Sequence, residues 1–152
     1  MNKDEVPLKS IQGGVQMDVT ERYILMNKKA DEIQKLLNQG VRLYGTPFWY
    51  NNTLIRILAG EVFYFADFNE TKKETIWLPT QDQLQRILKL EIVPLVDNFC
   101  FFFRLVDFSD FNTLEQLWLD FVMRNKFDKK WNHGKKEWES IQSGDSKLRI
   151  KE

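Results

Sequence analysis

The spacing of apolar residues changes at Gly40, and this change restricts the chain to folds that combine helices with a sheet. Before Gly40, apolar residues recur every three or four positions, which predicts one helix over 18–40. These residues are Tyr23, Met26, Ala30, Ile33 and Leu37. Asp18 with Glu21, or Thr20 as the alternative, would cap the start of this helix, and Gly40 would end it.

The segment 41–78 is instead rich in β-branched and aromatic residues and is interrupted by turn signals. The pattern predicts short antiparallel strands near 41–44, 48–50 with 53–58, 61–67 and 74–78. Helical turns around 53–59 are the main alternative. With the flanking helices, these strands predict an α+β fold, a small antiparallel sheet of four or five strands with about three helices packed on it.

The stretch "TIWLPTQDQLQRIL", residues 75–88, reads as a strand that turns into a helix. Pro79 ends the strand because it has no N–H for the ladder. Thr80 and Gln83 have the spacing of a capping box, in which each side chain bonds the backbone of the other. Gln81 and Gln85 have no such structural reason, so we take them as candidate binding residues.

Two further elements follow. "NFCFFFRLVDF", residues 98–108, predicts a largely buried strand, with Cys100 as a buried thiol. Residues 113–126 predict a final helix, capped either by Asn112 with Glu115 or by Thr113 with Gln116. Its apolar face is wide, so we expect it to be the most buried helix, with Trp118 in the core.

The 152 residues suit a single domain. We place an α+β domain over 17–139, a flexible N-terminal arm over 1–16 and a flexible C-terminal tail over 140–152. The longest apolar stretch is far shorter than the roughly 20 residues that span a bilayer. The N-terminus also has no apolar signal region, so we expect a cytoplasmic protein that does not bind membranes.

The residue inventory argues against common catalytic chemistry. One cysteine and one histidine are too few for a disulfide or for a zinc site of normal ligand number. Neither a glycine-rich phosphate loop nor a nucleophile elbow is present. Asp107 and Asp110 are more typical of turn and cap positions than of a metal site. We therefore assign no catalytic residue, no metal and no cofactor, and we favour a non-enzymatic protein.

The segment "RNKFDKKWNHGKKEW", residues 124–138, interleaves basic and aromatic residues. Basic groups can neutralise phosphates while aromatic rings stack on bases. The candidate binding residues here are Arg124, Lys129, Lys130, Trp131, Lys135, Lys136 and Trp138. In the alternative interpretation, the two tryptophans fold back across the sheet through a turn at 132–134, and the lysines are solvated. A protein contact is the third interpretation.

Three segments resemble a group of small uncharacterised proteins from phages and prophages of Gram-positive bacteria. They are "WLPTQDQLQRIL" at 77–88, "TLEQLWLDFVMRNKFDKKWNHGKKEW" at 113–138 and "ERYILMNKKADEIQKLL" at 21–37. The resemblance covers most of the chain from residue 18 onward. It implies a phage origin and the host cytoplasm as the setting, and it implies no particular activity.

These observations favour a small non-enzymatic binding protein. The resemblance implies that its partner is a host macromolecule, a component of antiviral defence being one candidate. A nucleic-acid-binding accessory protein that uses the C-terminal basic–aromatic segment is one alternative, and a small-molecule pocket protein is another. The 22 basic and 22 acidic residues give zero net charge. This balance argues against a dedicated nucleic-acid binder and allows a homo-oligomer.

Overall fold

A computed structural model describes residues 18–39, 47–50, 53–56 and 76–142. Within these residues the chain forms five α-helices and five strands. The helices are α1 (Glu21–Lys28), α2 (Asp31–Gln39), α3 (Gln81–Ile87), α4 (Ile92–Leu105) and α5 (Leu114–Phe127). The strands are β1 (Pro47–Tyr50), β2 (Thr53–Arg56), β3 (Ile76–Trp77), β4 (Lys129–Asn132) and β5 (Glu137–Ser140). The mixed α+β class is as predicted.

The strands form two separate antiparallel sheets, so the prediction of a single sheet with four or five strands is wrong for this part of the chain. One sheet has three strands in the order β2-β1-β3, and Phe48 lies opposite both Ile55 and Trp77. The other is the β4-β5 hairpin. Over 53–56 the chain is strand β2 and not the helical turn of the alternative, and 57–59 lie outside the described residues. The predicted strands 41–44 and 61–67 and the predicted arm 1–16 lie outside the described residues.

The first predicted helix is divided in two. The Ala30 N–H bonds the Asn27 carbonyl at 3.1 Å, and the Met26 carbonyl accepts a hydrogen bond from Trp138 Nε1 at 3.0 Å. An indole from the hairpin thus occupies the acceptor that Ala30 would use in a continuous helix. Thr20, the alternative cap of the sequence analysis, begins α1 by accepting from the Tyr23 N–H.

Helix α3 begins as predicted. Thr80 and Gln83 form the capping box, with the Gln83 side-chain oxygen accepting from the Thr80 N–H at 2.9 Å. The strand before it is attached to α2, because the Gln34 side chain bonds both the N–H and the C=O of Trp77, at 2.9 and 3.0 Å. A side-chain amide can do this because it carries the same donor and acceptor as a backbone peptide.

Helix α5 is the centre of the core, as predicted. Six consecutive or nearly consecutive apolar residues are buried, namely Leu117, Trp118, Leu119, Phe121, Val122 and Met123. The Thr113 hydroxyl accepts from the Gln116 N–H, so the second of the two predicted caps is the correct one. The buried Asp18 carboxylate accepts from Gln116 Nε2 at 2.9 Å and from the Thr113 hydroxyl, which fixes the starts of α1 and α5 together.

The segment predicted as a buried strand over 98–108 is mostly helix. Helix α4 covers 92–105, with Pro94 in its first turn, where a missing N–H removes no helical hydrogen bond. Leu95, Phe99 and Phe102 share one side and pack on α5, and this spacing of four and three residues is that of a helix. Cys100 is exposed, so its prediction as a buried thiol is also wrong.

The described core extends slightly past residue 139. Ile141 is buried, and its N–H donates to the Asp128 carbonyl at 2.8 Å. Asp128 itself ends α5 in the left-handed conformation, with φ at 52°. Residues 143–152 of the predicted tail lie outside the described part of the chain.

Candidate functional site

The C-terminal tryptophans belong to the core. Trp131 and Trp138 lie opposite each other in the β4-β5 register, with ring centroids 5.0 Å apart in an edge-to-face arrangement. Trp131 is buried and Trp138 is half-buried. The Trp131 N–H donates to Asp120 at 2.8 Å. A turn brings the two rings together, as in the alternative of the sequence analysis, but within a separate hairpin rather than across the larger sheet.

The basic side chains around the hairpin have acidic neighbours. Lys129 forms an ion pair with Glu32, and Lys135 pairs with Glu139 at 2.7 Å. Lys130 lies opposite Glu139 in the β-sheet register. The hydrogen bond from Lys135 lowers the pKa of Glu139, and the same bond raises the pKa of Lys135. These neighbours reduce the positive potential that a phosphate would need.

Arg124 is also engaged within the fold. Its Nε donates to the buried Asp120 carboxylate at 2.6 Å, and its guanidinium lies 5.7 Å from the centroid of the Phe102 ring. Lys136 has a left-handed backbone, with φ at 55°, and its carbonyl accepts from Lys29 Nζ at 2.7 Å. The candidate cations are therefore brought together on one hairpin and helix end, where Lys129 and Arg124 contact other helices and Lys135 pairs within the hairpin.

We predict that changing Lys129, Lys130, Lys135 and Lys136 together to serine will have a small effect. Two ion pairs are lost, and partly exposed pairs contribute about 0–1 kcal/mol each. Urea unfolding should show a decrease of no more than about 2 kcal/mol. Retention on heparin and binding of single-stranded DNA should be weak in both proteins. A steep salt dependence in the wild type that the four changes abolish would instead identify a phosphate-binding surface.

Gln81 and Gln85, the other candidate binding residues, lie on α3, far along the chain from the hairpin, and both are half-buried. Between them, Asp82 pairs with Arg86 at 3.3 Å on the exposed side of the helix. An exposed pair of this kind contributes little to stability or to recognition. Lys126 Nζ of the basic–aromatic segment donates to the Ile87 carbonyl at the end of α3 at 3.1 Å, but within the described part of the chain no hydrogen bond joins the two glutamines to that segment.

A group of exposed apolar residues on α4 was missed by the sequence analysis. Helix α4 and the 3₁₀ turn that follows it at 108–110 leave apolar side chains in solvent, and we call this surface the outer face. It consists of Ile92, Val93, Val96, Cys100, Phe103 and Phe108. Ile92 and Val93 have 70% and 66% of their surface exposed. At about 100° per residue, the five helical positions fall within about 100° of one another.

Aromatic rings support the outer face from behind. Phe99 stacks on Trp118 of α5 with centroids 3.9 Å apart and rings 5° from parallel, and it meets Phe121 edge-on at 5.3 Å. Phe103 stacks on Phe108 at 4.5 Å, which extends the face beyond the end of the helix. Large exposed apolar patches on soluble proteins mark contact surfaces, so this face is the stronger candidate site.

The described residues offer little for catalysis or metal binding. No group of three or more His, Cys, Asp or Glu side chains is arranged to hold a metal ion among them. His133 meets the edge of Phe111 at 4.8 Å, and burial lowers its pKa. The Asp107 carboxylate accepts hydrogen bonds from the N–H and hydroxyl of Ser109, as a turn residue does. One open depression is lined by Lys130, Glu139, Ser140 and Gln142, and these side chains include none of the aromatics expected of a small-molecule pocket.

The helices of the described segments are too short or too polar to cross a lipid bilayer. Comparisons of this chain with protein families, with curated proteins and with solved structures find no match.

Proposed function

We propose that this protein is a non-enzymatic binding protein whose outer face, on α4, docks against an apolar surface of another protein chain. The observation that carries the proposal is the exposure of an almost entirely apolar helix. Of its 14 residues, only Asp97 and Arg104 are charged, and a helix that is apolar on most sides is normally buried. Leaving such a helix in water has a free-energy cost that a docked partner would remove.

A protein partner suits this surface better than a nucleic acid or a small molecule. The outer face consists of exposed apolar side chains on a helix, whereas small-molecule sites are concave and phosphate sites are basic. Phe103 and Phe108 supply the aromatic anchors that are enriched at the centres of protein interfaces. The resemblance to phage proteins supports a host protein as one such partner. Photo-crosslinking from Val96 would capture such a partner as a covalent adduct.

Site-specific photo-crosslinking tests this proposal. A photoreactive phenylalanine at Val96 should form adducts of one or a few discrete masses with protein in intact cells. The matched control is the same amino acid at Leu114, an exposed apolar residue on α5 that lies outside the outer face. We expect the control to give no such adducts. Equal adducts from both positions, or adducts with nucleic acid alone, would contradict the proposal.

We further predict that Val96→Lys will weaken binding of the crosslinked partner at least about 100-fold, because a charge would enter an apolar interface. Leu114→Lys serves as the control and should leave the affinity within about threefold. Both residues are exposed, so thermal unfolding should change little in either variant. Isothermal titration with the purified partner provides the measurement. Equal affinity of Val96→Lys and the wild type would show that the outer face is not the contact.

A further inference from the structure

Two charged side chains lie beside the outer face, between it and the exposed Phe101 and Leu105 on the far side of α4. Asp97 and Arg104 are both exposed and are seven residues apart. At about 100° per residue they lie within about 20° of each other around the helix axis. When two helices pack along their length, residues seven positions apart lie on the same edge of the contact. Charges at these flanking positions determine which partner binds and in which orientation.

If α4 packs against α4 of a second copy in antiparallel orientation, the two charges of one helix face the opposite charges of the other. In a twofold-symmetric pair, residue i of one copy faces residue j of the other, and j faces i. An axis that passes between positions 100 and 101 is equally distant from 97 and 104. Each Asp97 would then lie beside Arg104 of the other copy, because antiparallel helices bring the same edges together. A parallel pair brings opposite edges together and leaves both charges without partners.

We infer that the outer face binds a second copy of this chain, through an antiparallel pairing of the two α4 helices. This inference rests on the proposed function, since it names the occupant of the same surface. The chain has zero net charge, so the two copies do not repel each other overall. The apolar residues of one outer face would be covered by those of the other, and the charged edges would fix the register.

Cys100 would lie almost on the twofold axis. Packed helices have axes about 8–10 Å apart, and each Cα lies about 2.3 Å from its own axis. The two Cys100 Cα atoms would therefore approach to roughly 5 Å, within the range that a disulfide can bridge. Because Cys100 is the only cysteine of the chain, a covalent dimer formed by oxidation can arise through this residue alone.

A charge-swap series measured by sedimentation equilibrium on the full chain at low salt tests the inference. The wild type should show a concentration-dependent dimer. Asp97→Arg and Arg104→Glu should each weaken dimerisation about tenfold or more, since each places like charges together at two symmetric positions. The double variant Asp97→Arg/Arg104→Glu restores both pairs and should return the dimer dissociation constant to within about threefold of the wild-type value.

Oxidation provides an independent readout. Mild treatment with a thiol oxidant should give a covalent dimer of the wild type, no dimer of Cys100→Ser, and less dimer in the single charge variants than in the double variant. Circular dichroism should show that all these variants fold, because the three positions are exposed.

The outcomes separate this inference from the proposed function. A protein that stays monomeric up to about 100 μM, or a double variant as weak as the single ones, overturns the antiparallel dimer. If photo-crosslinks from Val96 then lead to a different protein, the proposed function still stands. A dimer that is unaffected by both Val96→Lys and the charge changes uses another surface and overturns the inference directly.

Discussion

Trp118→Ala should lower the free energy of unfolding by roughly 3–5 kcal/mol, the usual cost of truncating a large buried aromatic. Trp118 is only 5% exposed and lies between α4 and the rest of the core. It stacks on Phe99 at 3.9 Å and meets Phe121 edge-on at 5.4 Å. The change would therefore remove both core volume and the ring against which α4 rests. Since small domains are stable by about 5–15 kcal/mol, this loss would remove a large part of the total stability.

Urea unfolding followed by circular dichroism measures this effect, and Leu114→Ala on the same helix is the control. Leu114 is 46% exposed, so its truncation should change stability by about 0.5 kcal/mol or less. Trp118→Phe keeps an aromatic ring against Phe99 and should be less damaging than Trp118→Ala. A Trp118→Ala protein with wild-type stability that no longer associates would show instead that α5, rather than α4, is the docking surface.

The parts of the fold that sequence predicts well are those with a local signal. Thr80 with Gln83 and Thr113 with Gln116 mark helix starts through bonds between near neighbours in sequence, which need no knowledge of the tertiary structure. The spacing of apolar residues on α5 was also clear, because charged and polar residues separate its apolar positions. The core position of Trp118 followed from that spacing.

The division of the first helix depends on a contact that is distant in sequence. The indole of Trp138 reaches the Met26 carbonyl across 112 positions. Nothing in the local sequence around Lys29 breaks the helical spacing, so no local pattern could reveal the break. The same holds for the pairing of Gln34 with the backbone of Trp77, which is 43 positions away. Tertiary hydrogen bonds of this kind override local preference.

The error at α4 has a different origin. A run in which nearly every residue is apolar has no period, so a buried strand and a helix cannot be distinguished by pattern alone. Length could have distinguished a helix from a strand here, because 14 residues exceed the length of an ordinary strand. The spacing of Asp97 and Arg104 was a second signal. Because this helix was predicted as a buried strand, the outer face could not be predicted. Most candidate binding residues were placed in the basic–aromatic segment instead.

The second large effect is predicted at Asp120, the buried carboxylate that holds the hairpin to α5. One oxygen accepts from Arg124 at 2.6 Å, and the other accepts from the Trp131 N–H at 2.8 Å. Asp120→Ala leaves both donors without a partner and should cost roughly 3–5 kcal/mol. Asp120→Asn keeps an oxygen for the Trp131 N–H and adds no buried charge, so it should cost clearly less. Urea unfolding at neutral pH measures both, and equal losses would contradict this account.

The direction of the Asp120 pKa shift also predicts how the stability of the protein depends on pH. Burial raises the pKa of Asp120 above its ordinary value of 3.8, although the Arg124 charge and the hydrogen bonds from Trp131 and Arg124 oppose this. Between 3.8 and the raised value, the folded chain therefore binds more protons than the unfolded chain. The stability that this carboxyl contributes is complete below 3.8 and is lost as the pH rises through the folded-state pKa. Asp120→Asn cannot titrate at this position.

The stability difference between the wild type and Asp120→Asn should therefore widen as the pH is lowered from neutral toward 3.8. Comparing the two proteins at each pH cancels the carboxyls that they share, so the trend reports Asp120 together with its charge interaction with His133. Leu114→Ala, which alters no ionisable group, is the control and should show little change of its difference across this range. A difference for Asp120→Asn that narrows on acidification would place the folded-state pKa below 3.8. The interactions of the carboxylate with Arg124 and with the Trp131 N–H would then outweigh the effect of its burial.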